Sequence, residues 1–238
     1  MIQSGWIFLI ALISAAVLTG LLRRYALATR LLDIPNARSS HNSPTPRGGG
    51  LSIVLVVLLG LEVLSGMGVL AREAMWAIFG TGAWVAVVGF LDDHGHIPAR
   101  WRLLAHFIGA AWGLYWLGGL PPLLFPFPGS SLGMQTIDLG WVGQILAIFY
   151  LVWLLNLYNF MDGIDGLAGI EAITVCLGGL LLYIMLQPET AAQAWWTPAL
   201  LAMAVAGSLY SYFPPARILM GDAGSGSLGL MFGLFSSQ

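Results

Sequence analysis

Of the 238 residues, 58% are hydrophobic and only 8% are charged, and the mean hydropathy is +0.84. A soluble domain carries about 25% charged residues, so the composition excludes one and describes an all-α polytopic membrane protein. The net charge of −2 gives nucleic acid no electrostatic footing, and every basic residue is an arginine, so phosphate contacts fall to guanidinium forks.

The first apolar run covers residues 6–22. It does not read as a cleavable signal peptide, because no positive charge precedes it and Arg23-Arg24 follow directly. This order sets the N-terminus outside, in the periplasm, and Arg23 on the cytoplasmic side. Residues 30–50 (RLLDIPNARSSHNSPTPRGGG) hold three prolines and three arginines and read as a loop. Further apolar runs of about 17–20 residues, the length of a helical span, cover about 51–70, 74–91, 101–118, 141–157, 167–186 and 195–213. The proline- and glycine-rich connection 119–140 excludes a continuous helix and has room for a small hairpin. An eighth run starts near 227 and stops at Gln238, so the chain reads as one integral-membrane domain, 1–238, cut short at its C-terminal end.

Eight crossings with an external N-terminus put the connections after spans one, three, five and seven in the cytoplasm. Those four connections hold Arg23, Arg24, Arg30, Arg38, Arg47, Arg100, Arg102 and Arg217, and leave only Arg72 outside. That is the positive-inside bias. The same connections hold Asp33, Asp92, Asp93, Asp162, Asp165 and Asp222, so the dense polar clusters gather on one face.

Several of these clusters carry chemistry. Asn156-Leu-Tyr-Asn-Phe-Met-Asp-Gly-Ile-Asp-Gly166 packs carboxylate and carboxamide oxygens between apolar runs. Such oxygens are costly beside hydrocarbon unless something binds them, and they are what Mg²⁺ accepts. Asp92-Asp93 closes span three, where acids oppose the helix dipole and repel each other unless a cation intervenes; two solvated surface acids are the bland alternative. Met220-Gly-Asp-Ala-Gly-Ser-Gly-Ser227 is a glycine-rich helix start, suited to phosphate or equally to a plain flexible turn. Arg38-Ser-Ser-His41 and Thr45-Pro-Arg-Gly-Gly-Gly50 form an anion-binding set or a loop that only fixes topology. His94 and His96 lack the two further nitrogen or sulfur ligands zinc needs. His106 and the lone Cys176 read as packing residues, Glu62 as a snorkelling side chain, and the tryptophans near run ends as an interfacial belt.

Four motifs in order carry a resemblance: TPRGGG (45–50), Asp92-Asp93, NLYNFMDGIDGLAG (156–169) and PPARILMGDAGSGSLG (214–229). The chain resembles the polyprenyl-phosphate N-acetylhexosamine-1-phosphate transferases. The segment DIPNARSSHNSPTPRGGG resembles the O-antigen or lipopolysaccharide branch more than the peptidoglycan branch. The resemblance implies a multi-pass enzyme of the bacterial inner membrane whose cytoplasmic loops form the active site. It implies that a UDP-aminosugar arrives from the cytoplasm, that undecaprenyl phosphate enters from the membrane lipid, and that UMP leaves. By that resemblance Asp92 and its neighbour Asp93 are catalytic, and Asn159 and Asp222 hold Mg²⁺ (or Mn²⁺). Asp162, Asp165, Arg38, His41, Arg47 and Arg217 then contact the nucleotide and phosphates, and a homodimer is allowed. Asp92 is open to three roles: base, nucleophile or organiser of the metal site; direct attack by the lipid phosphate is the favoured course. Two features depart from the pattern: Tyr212 stands where relatives commonly carry asparagine, and relatives continue through further spans. A transporter and an inactive remnant are the competing readings. Transporters place polar groups near mid-span, whereas here they lie in one-sided loops.

Overall fold

Helix α1 (Trp6–Thr29) buries its small residues and exposes its large ones. Ala11, Ala15, Thr19 and Ala26 face the interior, whereas Leu9, Ile13, Val17 and Leu21 point outward. A water-soluble helix would be the reverse, and small residues at helix contacts with large apolar ones outside is how helices pack in lipid. The computed structural model describes residues 5–35, 43–126, 134–186 and 195–236. Among them are seven further helices: α2 (Leu51–Gly66), α3 (Arg72–Gly95), α4 (Ala99–Trp116), α5 (Gly140–Met161), α6 (Leu167–Leu186), α7 (Trp196–Tyr212) and α8 (Asp222–Ser236). By length and apolarity, α1, α3, α5 and most of α6 can each cross a membrane. The protein is mostly helical, as expected of a polytopic membrane protein.

Two short antiparallel pairs interrupt the helical architecture. Leu32–Asp33 (β1) pairs with Thr45–Pro46 (β2), and Leu123–Pro126 (β3) with Met134–Ile137 (β4). The second is the hairpin for which the connection 119–140 had room.

Helix α8 occupies the centre. Every residue from Ala223 to Leu234 is buried, and α8 packs against α2, α3, α4 and α5. Its glycines allow this. A Cβ on Gly224 would lie 2.5 Å from the Gly50 Cα, so backbone meets backbone there. Around this centre α1 packs on α2 and α7, α6 on α7, and α3 on α4.

Several helices outrun the predicted spans. Arg23 and Arg24 lie on α1, and Asn156 and Asn159 lie on α5 rather than in a loop after it. Backbone hydrogen bonding carries a helix past the point where its side chains turn polar; Asn156, for instance, donates from its side chain to Val152 O at 2.7 Å. Most tryptophans of α3, α4 and α7 gather at one end. There Trp112 donates to Trp76 O, and Trp195 and Trp196 stack beside Phe8. Asp92, Asp93, Asp162, Asp165 and Asp222 gather at the other end.

Candidate active site

The connections α1–α2, α3–α4, α5–α6 and α7–α8 converge at that other end. The chain leaves α3 through a tight reversal: His96 is left-handed (φ 53°) and its N–H returns to Asp92 O. Pro98 then precedes α4, whose first turn brings Arg102 back over the end of α3.

Asp92 and Asp93 are both buried, at 4% and 3% exposure. Asp92 Oδ1 accepts the Ile97 N–H at 2.6 Å, and Asp92 Oδ2 accepts from Arg102 Nη1. The same Arg102 nitrogen reaches Asp222 Oδ2 at 3.0 Å, so one guanidinium ties the end of α3 to the start of α8. Asn159, from α5, lies beside the Asp222 carboxylate and favours its charged form. Arg47 Nε lies 3.5 Å from Asp93 Oδ1, and its Nη2 donates to the carbonyls of Asp92 and Asp93. Asp93 Oδ2 is buried and has no partner among the described residues.

Asp162 and Asp165 do different work. Asp162 Oδ2 accepts the Gly221 N–H at 2.9 Å, and Asp165 Oδ2 accepts the Ala216 N–H at 3.1 Å. They fasten the 214–221 segment to the end of α5. Burial raises the Asp162 carboxyl well above the usual carboxylate range; the Gly221 N–H opposes this, and Asp222, Asp93 and Asp165 add to it as like charges. Gly221 is left-handed (φ 76°), and a Cβ there would sit 2.7 Å from Asp93 Oδ2. Only glycine suits that position.

In both glycine-rich stretches several backbone N–H groups are already taken by the chain itself. The N–H groups of Gly49 and Gly50 donate to Leu219 O and Met220 O, which zips the first connection to the last. At the start of α8, Gly221 N–H and Asp222 N–H are taken by Asp162 and Asp93. The protein's own carboxylates thus stand where a helix N-terminus would hold a phosphate. Tyr212 is buried with its ring against Gly49, turned into the bundle.

Of the residues picked from the sequence, Asp92, Asp93, Asn159, Asp162, Asp222 and Arg47 come together, and Asp165 stands behind them. Arg217 does not join them. Its guanidinium lies 4.3 Å over the ring of the exposed Tyr210, and its carbonyl accepts from Arg23. Arg38 and His41 lie outside the described residues. His94 is held by Phe90 O and the Tyr25 hydroxyl. Sequence reasoning missed Arg102, which had been counted only toward topology. Its position in the first turn of α4, directly after an acidic helix end, was the available signal.

The donor set fits a hard divalent cation. Asp222, Asn159 and the unpartnered Asp93 Oδ2 offer oxygen only. No three His, Cys, Asp or Glu side chains among the described residues form a ready-made metal cage. Mg²⁺ needs none, since it commonly takes one or two carboxylates and completes its shell with water and substrate phosphates.

Residues 75–238 match the sequence model of glycosyl transferase family 4. The chain belongs to that family. The match includes Asp92, Asp93, Arg102, Asn159, Asp162, Asp165, Arg217 and Asp222. A Mycobacterium leprae decaprenyl-phosphate N-acetylglucosaminephosphotransferase is 33% identical over 238 residues, covering 92% of this chain and 57% of the relative. A Bacillus subtilis protein named as a probable undecaprenyl-phosphate N-acetylglucosaminyl 1-phosphate transferase is 29% identical over 236 residues, covering 96% of this chain and 61% of the relative. A Bacillus licheniformis phospho-N-acetylmuramoyl-pentapeptide-transferase is 26% identical over 237 residues, covering 93% and 69%. The chain therefore spans about three-fifths of the length of the first two family 4 relatives.

Proposed function

We propose that the protein transfers an N-acetylhexosamine 1-phosphate from a UDP-sugar to a polyprenyl phosphate and releases UMP. The observation that carries this is the convergence of Asp92, Asp93, Asn159, Asp222, Arg47 and Arg102 at one end of a bundle whose flanks expose large apolar side chains. Such a site can receive a water-soluble donor from one side and a lipid acceptor from the bilayer. The relatives' names supply the reaction class. In that reaction an oxygen of the lipid phosphate bonds to the sugar-linked phosphorus, and the bond from that phosphorus to the UMP oxygen breaks.

Two anions must meet, so neutralising charge is the main catalytic task. Asp222 and Asn159 would hold Mg²⁺, which when bound neutralises the phosphates of the donor and of departing UMP. Arg47 and Arg102 add positive charge from the protein side. Both Asp92 oxygens are occupied, by Ile97 N–H and Arg102. That favours an organising role for Asp92 over a nucleophilic one. A phosphomonoester has a second pKa near 6, so the lipid phosphate is already an anion at neutral pH and direct attack needs little base.

The relatives' names favour N-acetylglucosamine as the sugar, which makes UDP-GlcNAc the proposed donor. The O-antigen or lipopolysaccharide pathway, the undecaprenyl chain length and a cytoplasm-facing site in the bacterial inner membrane complete the proposal. The first of these rests on segment 33–50. Against a transporter, the buried hydroxyls of Thr19, Ser52 and Ser208 inside the bundle are satisfied by one another at 2.7 and 2.9 Å. The deciding assay combines the purified chain, UDP-GlcNAc, undecaprenyl phosphate and Mg²⁺. UMP release that needs both lipid and Mg²⁺ is expected. A folded protein that releases none across a panel of UDP-aminosugars overturns the reading.

A further inference from the structure

Arg102 makes a contact that a metal ion would contest. A single nitrogen, Nη1, bonds Oδ2 of Asp92 and, at 3.0 Å, Oδ2 of Asp222. The Arg102 side chain is one-third exposed, whereas that of Asp92 is nearly buried. Asp92 keeps a second bond, from Ile97 N–H. The link to Asp222 is the longer of the two and lies on the more open carboxylate, 25% exposed against 6%.

We propose that Arg102 is a built-in counter-cation that joins Asp92 to Asp222 in the metal-free protein and must surrender Asp222 when a divalent cation binds. The inference rests on the reading of Asp222 as a metal ligand. A dication on Asp222 would stand a few ångströms from the guanidinium, where like charges repel and both cations seek the same oxygen. The more open, longer link yields first. Arg102 then remains on Asp92, next to the donor's phosphates. It is a positioning residue, and it sets how tightly the site binds metal.

Removing the charge should strengthen metal binding, the reverse of what loss of an ordinary supporting residue does. Mn²⁺ binding to the purified full chain, followed by electron paramagnetic resonance without substrate, reads this directly. Arg102→Gln should bind Mn²⁺ on the order of ten-fold more tightly than wild type, the scale of one charge-assisted hydrogen bond. Arg102→Lys should stay near wild type, because the charge remains. In chelator, Arg102→Gln should melt below wild type, and added Mn²⁺ should raise its melting temperature more than that of wild type. If Arg102→Gln folds only with Mn²⁺ present, the ion has replaced the missing charge and the inference stands; failure to fold even with Mn²⁺ overturns it. Asp222→Asn is the control. Mn²⁺ binding lost in Asp222→Asn but unchanged or weakened in Arg102→Gln overturns this inference alone. No binding by wild type, or binding indifferent to Asp222→Asn, overturns the metal reading beneath it.

Discussion

Two sets of aspartates lie side by side at the same end of the bundle and are satisfied in different ways. Asp162 and Asp165 accept backbone N–H groups of the 214–221 segment. Asp92 and Asp93 also accept one backbone N–H each, but Asp92 and Asp222 share an arginine side chain, and Asp93 keeps one oxygen unpartnered among the described residues. A backbone partner cannot leave without unfolding the loop. A side-chain partner can move aside for a substrate or an ion. The first set is therefore built to hold shape and the second keeps oxygens that can exchange partners, although the sequence presents both as acids between apolar runs.

Substitutions can break or sharpen that contrast. The largest effect is expected from Asp222→Asn, which should lower UMP release by about 10³-fold while the melting temperature in detergent changes little. Collapse of the fold would move Asp222 to the shape-holding set. Gly221→Ala should damage both properties at once. It forces a left-handed alanine against Asp93, at a cost of about 1–3 kcal/mol in stability. A melting temperature equal to wild type would contradict the packing described. Asp165→Ala leaves the Ala216 N–H without its acceptor and should cost about 1–2 kcal/mol, with kcat in the surviving folded fraction close to wild type. A stable variant with no turnover would place Asp165 in the chemistry instead.

The pH dependence of stability tests Asp162. Its folded-state carboxyl titrates well above its unfolded value, so the folded protein binds more protons than the unfolded one between the two. That stability is fully present below the unfolded value and is lost as pH rises through the folded one. In chelator, the protein should melt at a lower temperature at pH 7 than at pH 5, and Asp162→Asn should flatten the slope. A slope unchanged in the variant would assign it to other groups. The smallest effect is expected from Arg217→Ala, because Arg217 stacks on Tyr210 away from the carboxylates. KM for the UDP-sugar should stay within about two-fold of wild type, as for surface substitutions generally; a ten-fold rise would bring Arg217 back to the donor.

The sequence carried the gathering of the candidate site residues because charge is costly inside a bilayer. Asp92, Asp93, Asp162 and Asp222 had to lie at helix ends, and alternate crossings bring alternate ends together. Partner choice was less legible. The glycines at 48–50 and 221–226 resemble phosphate cradles, yet whether an N–H is free depends on chain segments some 170 residues away, as Gly50 N–H on Met220 O shows. Arg102 was obscured for the opposite reason: the positive-inside bias alone already gives an arginine at such a helix end a sufficient explanation. Asn159 was identified but assigned to a loop, because hydropathy falls before the α5 helix ends.

The burial of α8 has a consequence for biogenesis. Helices α1 to α7 are synthesised before the helix that α2, α3, α4 and α5 pack around. Only when the eighth slides in does Asp222 meet Arg102. A nascent chain stalled before that point lacks both the centre of the bundle and the carboxylate that Arg102 joins to Asp92.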